Sequence, residues 1–175
     1  CGGNTAYKRN QSDFYPTPPE ATQALLDFLK LPKGTTVWEC ACGEGHMVEV
    51  MEKNDLRVFA TDIQTGTDFL EAKIPEDIDW IITNPPFTFA EQFIRKASEH
   101  HVPFAMLLKS QYWHASKRVS LFLDVTPSYV LPLTWRPDFL FKARGKGSPL
   151  MDVIWCVWIP GYGKTRYVPL TKPKE

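Results

Sequence analysis

The chain has 175 residues, 43% of them hydrophobic, enough for one globular domain with a sizeable core. No run of about 18 apolar residues occurs, so no membrane-spanning helix is expected, and no positively charged apolar leader opens the chain. Lysines plus arginines and aspartates plus glutamates each number 20, and this zero net charge by itself argues against a polyanionic partner.

The distribution of charge says otherwise. Residues 1–108 carry 9 Lys/Arg against 16 Asp/Glu, and residues 109–175 carry 11 against 4. That asymmetry points to a polyanion on the C-terminal side, or to two solvated faces of opposite sign. Four cysteines in a chain of this length do not suggest a disulfide framework, so a reducing, cytoplasmic setting is expected.

Residues 1–14 are polar and glycine-bearing and read as a flexible arm. Thr17-Pro18-Pro19-Glu20 has the pattern of a helix start, with Thr17 as N-cap, a proline at the first helical position and Glu20 closing a capping box. Ala21, Leu25, Phe28 and Leu29 then recur at helical spacing, until Leu31-Pro32-Lys33-Gly34 ends the run.

Thr36-Val37-Trp38-Glu39-Cys40 reads as a buried strand. It runs into Ala41-Cys42-Gly43-Glu44-Gly45, where small residues permit a tight turn and close approach to a ligand. A helix starting near Glu44 would carry Met47, Val48, Val50 and Met51. A glycine turn between a strand and a helix N-terminus marks the ligand edge of an open α/β sheet, although a tight connection with no ligand has the same local pattern. Val48 stands where the dinucleotide fingerprint needs its third glycine, which disfavours a nicotinamide cofactor. Glu39, an acid at the strand end, suits the ammonium of a methionine-like group instead. Cys40, Cys42 and His46 make a poor zinc knuckle without a second pair, so no metal is expected.

Asp62 ends the next hydrophobic run, Arg57 to Thr61, where a carboxylate can accept from both ribose hydroxyls or simply cap a turn. Asp68-Phe69-Leu70 follows and would supply a polar contact and an apolar wall for an adenine ring. Ile78 to Thr83 is another buried strand, closed by Asn84-Pro85-Pro86-Phe87. Two prolines fix φ and remove two donors, so the chain leaves the sheet in a rigid extended turn. Its carbonyls and the Asn84 side-chain oxygen suit an exocyclic amine, and Phe87 offers a face for a planar base.

Phe89 to Glu99 reads as a helix, Phe104 to Leu108 as a strand, Tyr112 to Asp124 as a weaker helix, and Tyr129 to Trp135 and residues 152–159 as strands. Alternating strands and helices imply an α/β domain with a mainly parallel, doubly wound sheet. Arg136, Lys142, Arg144 and Lys146 lie in one loop, and Lys109, Tyr112 and Trp113 follow a strand at the same expected edge. The basic residues would neutralise phosphates, and the two aromatics would stack a base or serve as ordinary core residues.

Glu39-Cys40-Ala41-Cys42-Gly43-Glu44-Gly45 with Asn84-Pro85-Pro86-Phe87 resembles the motif pair of amino-group methyltransferases that use S-adenosylmethionine. Tyr15-Pro16-Thr17-Pro18-Pro19-Glu20 resembles the N-terminal cofactor-flanking motif of phage-type DNA N6-adenine methyltransferases. Arg136-Pro137-Asp138-Phe139 through Ser148-Pro149-Leu150-Met151-Asp152, and then Trp155-Cys156-Val157-Trp158, resembles their late motif. The likeness runs roughly from Asp13 to Pro160 and implies a Rossmann-like class I domain over residues 15–160, followed by a basic C-terminal tail at 161–175. It also implies a last strand inserted antiparallel beside the fifth.

Under this resemblance Asn84, Pro85, Pro86 and Phe87 are catalytic, and Tyr15, Thr17, Glu39, Cys40, Ala41, Gly43, Gly45, Asp62, Asp68 and Phe69 join Asn84 around S-adenosylmethionine. DNA is the expected partner, with no membrane, in a bacterial or phage-infected cell. Two departures stand out. Only Ile63 to Thr67 separate Asp62 from Asp68, so the helical unit usual there is cut to a loop, and no insertion is large enough for a separate target-recognition domain. RNA-base and protein-glutamine enzymes share the Asn-Pro-Pro-aromatic motif, and a catalytically silent DNA-binding accessory protein would share the fold.

Overall fold

Alternation along the strands decides how this chain packs. The computed structural model describes residues 16–139 and 151–174. Among them, β1 (Thr36–Glu39), β2 (Arg57–Ala60), β3 (Trp80–Thr83), β4 (Phe104–Lys109), β5 (Tyr129–Pro132), β6 (Val153–Trp158) and β7 (Arg166–Tyr167) form one sheet. Its order is β2-β1-β3-β4-β6-β5-β7. The first four strands run parallel to one another. β6 lies antiparallel between β4 and β5, as expected.

Successive side chains of these strands enter opposite layers. Trp38, Ile81, Phe104, Met106 and Leu108 face α3 (Ala90–Glu99) and α4 (Val119–Asp124). Val37, Ile82, Ala105 and Leu107 face α1 (Pro19–Leu29) and α2 (His46–Lys53). Both faces of the central strands are therefore covered, which is why they read as continuous apolar runs. Indole N–H groups tie the layers together. Trp155 Nε1 donates to the Ala21 carbonyl of α1 at 2.9 Å, and Trp158 Nε1 donates to the Val125 carbonyl behind α4 at 2.9 Å.

Several expected boundaries move. Thr17 is not a helix cap: Pro18 holds the N-cap position, extended at φ −57° and ψ 139°, and no side chain caps the helix. A residue before proline is driven out of the helical region, so Pro19 forces the boundary onto Pro18 and leaves Thr17 for other work. α2 begins at His46 because Gly45 is left-handed at φ 85°. The expected helix over Tyr112 to Asp124 breaks into 3₁₀ turns at Ser110–His114 and Ser116–Arg118 before α4, since Ala115 is extended at ψ 126°. β2 is an edge strand, with Phe59 47% exposed. Between β2 and β3 only the 3₁₀ turn Ile63–Thr65 forms, in line with a crossover cut to a loop. Within the expected C-terminal tail, β7 pairs with β5, and Leu170 is buried with its N–H on the Pro132 carbonyl at 2.8 Å. Residues 1–14 lie outside the described residues.

His100, closing α3, sets its ring against Trp38 and Phe69 at 5.8 and 6.0 Å between centroids. Its Nε2 is buried with no hydrogen-bond partner among the described residues. Burial, reinforced by the positive Lys96, lowers its pKa from the ordinary 6.5. An unfolded chain therefore takes up a proton that the folded state resists, and stability falls as pH drops below about 6.5. Thermal denaturation at about pH 7.5 and about pH 5.5 checks this: the melting temperature should fall with acidity, and His100→Phe should shrink the fall.

Candidate active site

β1 and β3 are parallel neighbours, so their C-terminal ends lie side by side. Glu39 ends β1, and Thr83 ends β3. The Thr83 hydroxyl donates to Glu39 Oε1, which also accepts the Ala41 N–H at 3.0 Å. Glu39 is only 1% exposed, and such a buried carboxylate must be held by donors. It forms part of a cleft wall with Thr17, Ala41, Gly43, His46 and Asn84.

The turn after β1 owes its shape to two left-handed glycines, Gly43 at φ 52° and Gly45 at φ 85°. A Cβ on Gly45 would meet nothing within 4 Å, so glycine is required there for backbone conformation and not for room. Backbone bonds stitch the turn to the end of β2: Cys42 N–H donates to the Thr61 carbonyl at 3.0 Å, and Thr61 N–H to the Glu39 carbonyl at 2.9 Å. Asp62 clamps it from the side. One carboxylate oxygen accepts the Gly43 N–H at 2.9 Å, and the other accepts the Gln64 N–H at 2.9 Å, which caps the following 3₁₀ turn. Asp68 also caps locally, with Oδ1 accepting the Leu70 N–H at 3.0 Å.

Asn84 follows directly on β3 and is 4% exposed. Its Nδ2 donates to the Thr17 hydroxyl oxygen at 3.0 Å, a bond between residues 67 positions apart. Pro85 and Pro86 are buried, and half-buried Phe87 opens the 3₁₀ turn Phe87–Phe89 that leads into α3. The Lys109 ammonium, at the end of β4, stands 4.3 Å from the Phe87 ring centroid.

The expected residues thus divide. Thr17, Glu39, Ala41, Gly43 and Asn84 come together on one cleft, with Gly45 shaping the adjoining turn, Asp62 behind it, and Phe87 and Lys109 along the same edge. Phe69 does not present an open adenine wall. It is 1% exposed, edge-on to Trp38 at 5.1 Å and tilted on Phe93 at 4.9 Å, because a full aromatic ring gains most from burial. Cys40 turns its thiol into the same core cluster, leaving only its backbone near the turn.

Tyr112 and Trp113 are likewise packed inward. Trp113 stacks on Phe122 at 4.1 Å, and Tyr112 meets Phe122 edge-on with the Arg118 guanidinium 3.7 Å from its ring centroid. Burial raises the Tyr112 pKa. Both rings pack against Phe122 of α4; Tyr112 is buried, and Trp113 is half-buried. Arg136 is exposed and bonds Asp152 at 2.9 Å, at the sheet edge where β5 ends and β6 begins. Tyr15, Lys142, Arg144 and Lys146 lie outside the described residues. Thr83 escaped the sequence reading; its signal was a lone hydroxyl ending an otherwise apolar run. No cluster of three potential metal ligands occurs among the described residues.

No protein-family model and no curated protein matches the sequence. Solved structures do match the fold. A protein assigned as the modification subunit of a type I restriction enzyme from Vibrio vulnificus YJ016 aligns at TM-score 0.63 and 14% identity, over 94% of this chain and 49% of that one. An S-adenosylmethionine-dependent O-methyltransferase from Thermotoga maritima aligns at 0.60 and 13%, over 89% and 71%. A dimethyladenosine transferase from Plasmodium falciparum aligns at 0.51 and 14%, over 83% and 63%. The chain has the Rossmann-like fold of S-adenosylmethionine-dependent methyltransferases. It spans about half the length of the restriction-modification subunit it matches.

Cysteine chemistry reports on this geometry. Burial first, and then the Glu39 charge, push the Cys40 thiol well above its ordinary pKa, and burial does the same for Cys156. Cys42, on the cleft, is partly exposed. Among these three, a maleimide at neutral pH should label Cys42 first and reach Cys40 and Cys156 only on unfolding. Mass spectrometry of peptides from native and denatured protein checks the order.

Proposed function

We propose that this chain is a DNA adenine methyltransferase that moves the methyl of S-adenosylmethionine to the N6 amine of a flipped adenine. One observation carries the reading. Asn84, buried at the end of β3 with its amide held by Thr17, lines the same cleft as the Glu39 carboxylate and the glycine turn. Fold neighbours that include a restriction-modification subunit and a dimethyladenosine transferase support a nucleic-acid substrate.

The residues fit the cofactor by their chemistry. Glu39 is a buried carboxylate on the cleft wall, suited to an ammonium, and the turn over Gly43 and Gly45 leaves open backbone beside it. Asp62 and Asp68 are the candidate polar contacts for ribose and adenine. Bound S-adenosylmethionine supplies an electrophilic methyl on a sulfonium. The substrate amine is a poor nucleophile, because its lone pair is delocalised into the ring. The Asn84 side-chain oxygen and the Pro85 carbonyl accept its two N–H bonds, which favours a pyramidal nitrogen and aims the lone pair. Phe87 holds the ring by stacking, and Lys109, now over that ring, reaches a flanking phosphate. The amine loses its proton after the new bond forms, so no strong general base is needed. Catalysis is positioning and electrostatics.

Transfer of radiolabelled methyl to unmethylated duplex DNA, matched single strands and RNA, followed by nucleoside identification, tests the reading. N6-methyladenine in DNA is expected; label in RNA alone, or in protein alone, would reassign the substrate. Asn84→Ala should lower turnover at least about a hundredfold while leaving cofactor affinity within about threefold. Lys109→Ala should weaken DNA binding and reduce the salt dependence of binding by about one phosphate contact, measured by titration over a range of salt.

A further inference from the structure

We propose that Thr17 is a positioning residue for Asn84: its hydroxyl tethers the Asn84 amide, so that the side chain is held in place when the substrate amine arrives. The proposal rests on the methyltransfer reading above and adds to it the device that holds the Asn84 amide in place. An asparagine amide is nearly symmetrical in shape, with an oxygen at one end and a double donor at the other. An incoming amine needs the oxygen; the reversed amide would set N–H against N–H.

The observations single out Thr17. It is buried, as is Asn84, and the two are joined by Asn84 Nδ2 donating to Thr17 Oγ1 at 3.0 Å. Here the hydroxyl oxygen accepts and Nδ2 donates; a hydroxyl can also donate, so what the bond fixes is the tether between the two side chains. Asn84 has little freedom otherwise, because Pro85 restricts its backbone and Thr83 before it is fixed by the bond to Glu39. Thr17 is also spared from capping α1, since Pro18 occupies the N-cap and no side chain caps that helix. Its hydroxyl therefore serves the site across the fold and not the helix it precedes. Thr17 and Asn84 line the same cleft, so the approach of the α1 segment to β3 completes the acceptor site.

Thr17→Val keeps the shape of the side chain and removes the acceptor, and Thr17→Ser restores it. In the full chain, Thr17→Val should lower kcat for methyl transfer about tenfold or more and recover with Thr17→Ser. A second readout needs no activity. In ¹⁵N-labelled protein the Asn84 side-chain NH₂ signals, assigned by their loss in Asn84→Asp, should be protected from solvent exchange in the wild type and in Thr17→Ser but not in Thr17→Val. Unchanged protection in Thr17→Val overturns the proposal. So does a weaker cofactor affinity at unchanged kcat, which would make Thr17 a cofactor ligand. If the wild type transfers no methyl to any acceptor, the functional reading fails, and the exchange measurement alone decides whether Thr17 holds the amide.

Discussion

The bond from the Thr83 hydroxyl to the Glu39 carboxylate joins the ends of β1 and β3, residues 44 positions apart, and the candidate site is built on that junction. A carboxylate withdrawn from water carries a desolvation cost of several kcal/mol unless donors replace the solvent. Here the donors are a hydroxyl from the neighbouring strand and an N–H from the turn that Glu39 itself begins. Parallel pairing of the two strands makes this possible, because it brings both C-terminal ends to one edge of the sheet. The glycine turn leaves from one end and Asn84-Pro85-Pro86-Phe87 from the other, so their separation follows from strand spacing.

The surrounding polar groups follow the same logic. Asp62 holds Gly43 with one oxygen and the next turn with the other, so the end of β2 braces the turn after β1. Short crossovers keep this bracing intact: a loop with a single 3₁₀ turn replaces the helix that would otherwise lead from β2 to β3. The basic side holds to the same edge. Lys109 ends β4 beside Phe87, and Arg136 and Asp152 pair where β5 gives way to β6.

Much of the fold was legible before any coordinates. The runs at 36–40, 78–83, 104–108 and 152–159 became β1, β3, β4 and β6 with small shifts, and of the apolar stripe Phe89, Phe93, Ile94 and Ala97 the last three are buried on α3, while Phe89 is half-buried in the preceding 3₁₀ turn. Periodicity carries that information locally. The aromatic residues depend on what lies across the fold. Phe69, expected as an adenine wall, is buried against Trp38 and Phe93, while Tyr112 and Trp113 take the core alternative, Tyr112 buried and Trp113 half-buried against Phe122.

By itself the sequence determined which segments become strands, where glycine and proline interrupt them, and which chemistry ends each strand. Those properties depend on a few consecutive residues and on the two periods of side-chain alternation. Only the tertiary structure decided the partners. That Thr17 serves Asn84 and not the helix it precedes, and that Thr83 serves Glu39, depends on how distant segments are brought together at one sheet edge. A hydrogen bond discriminates over tenths of an ångström, and no local pattern of residues sets distances across the fold at that scale.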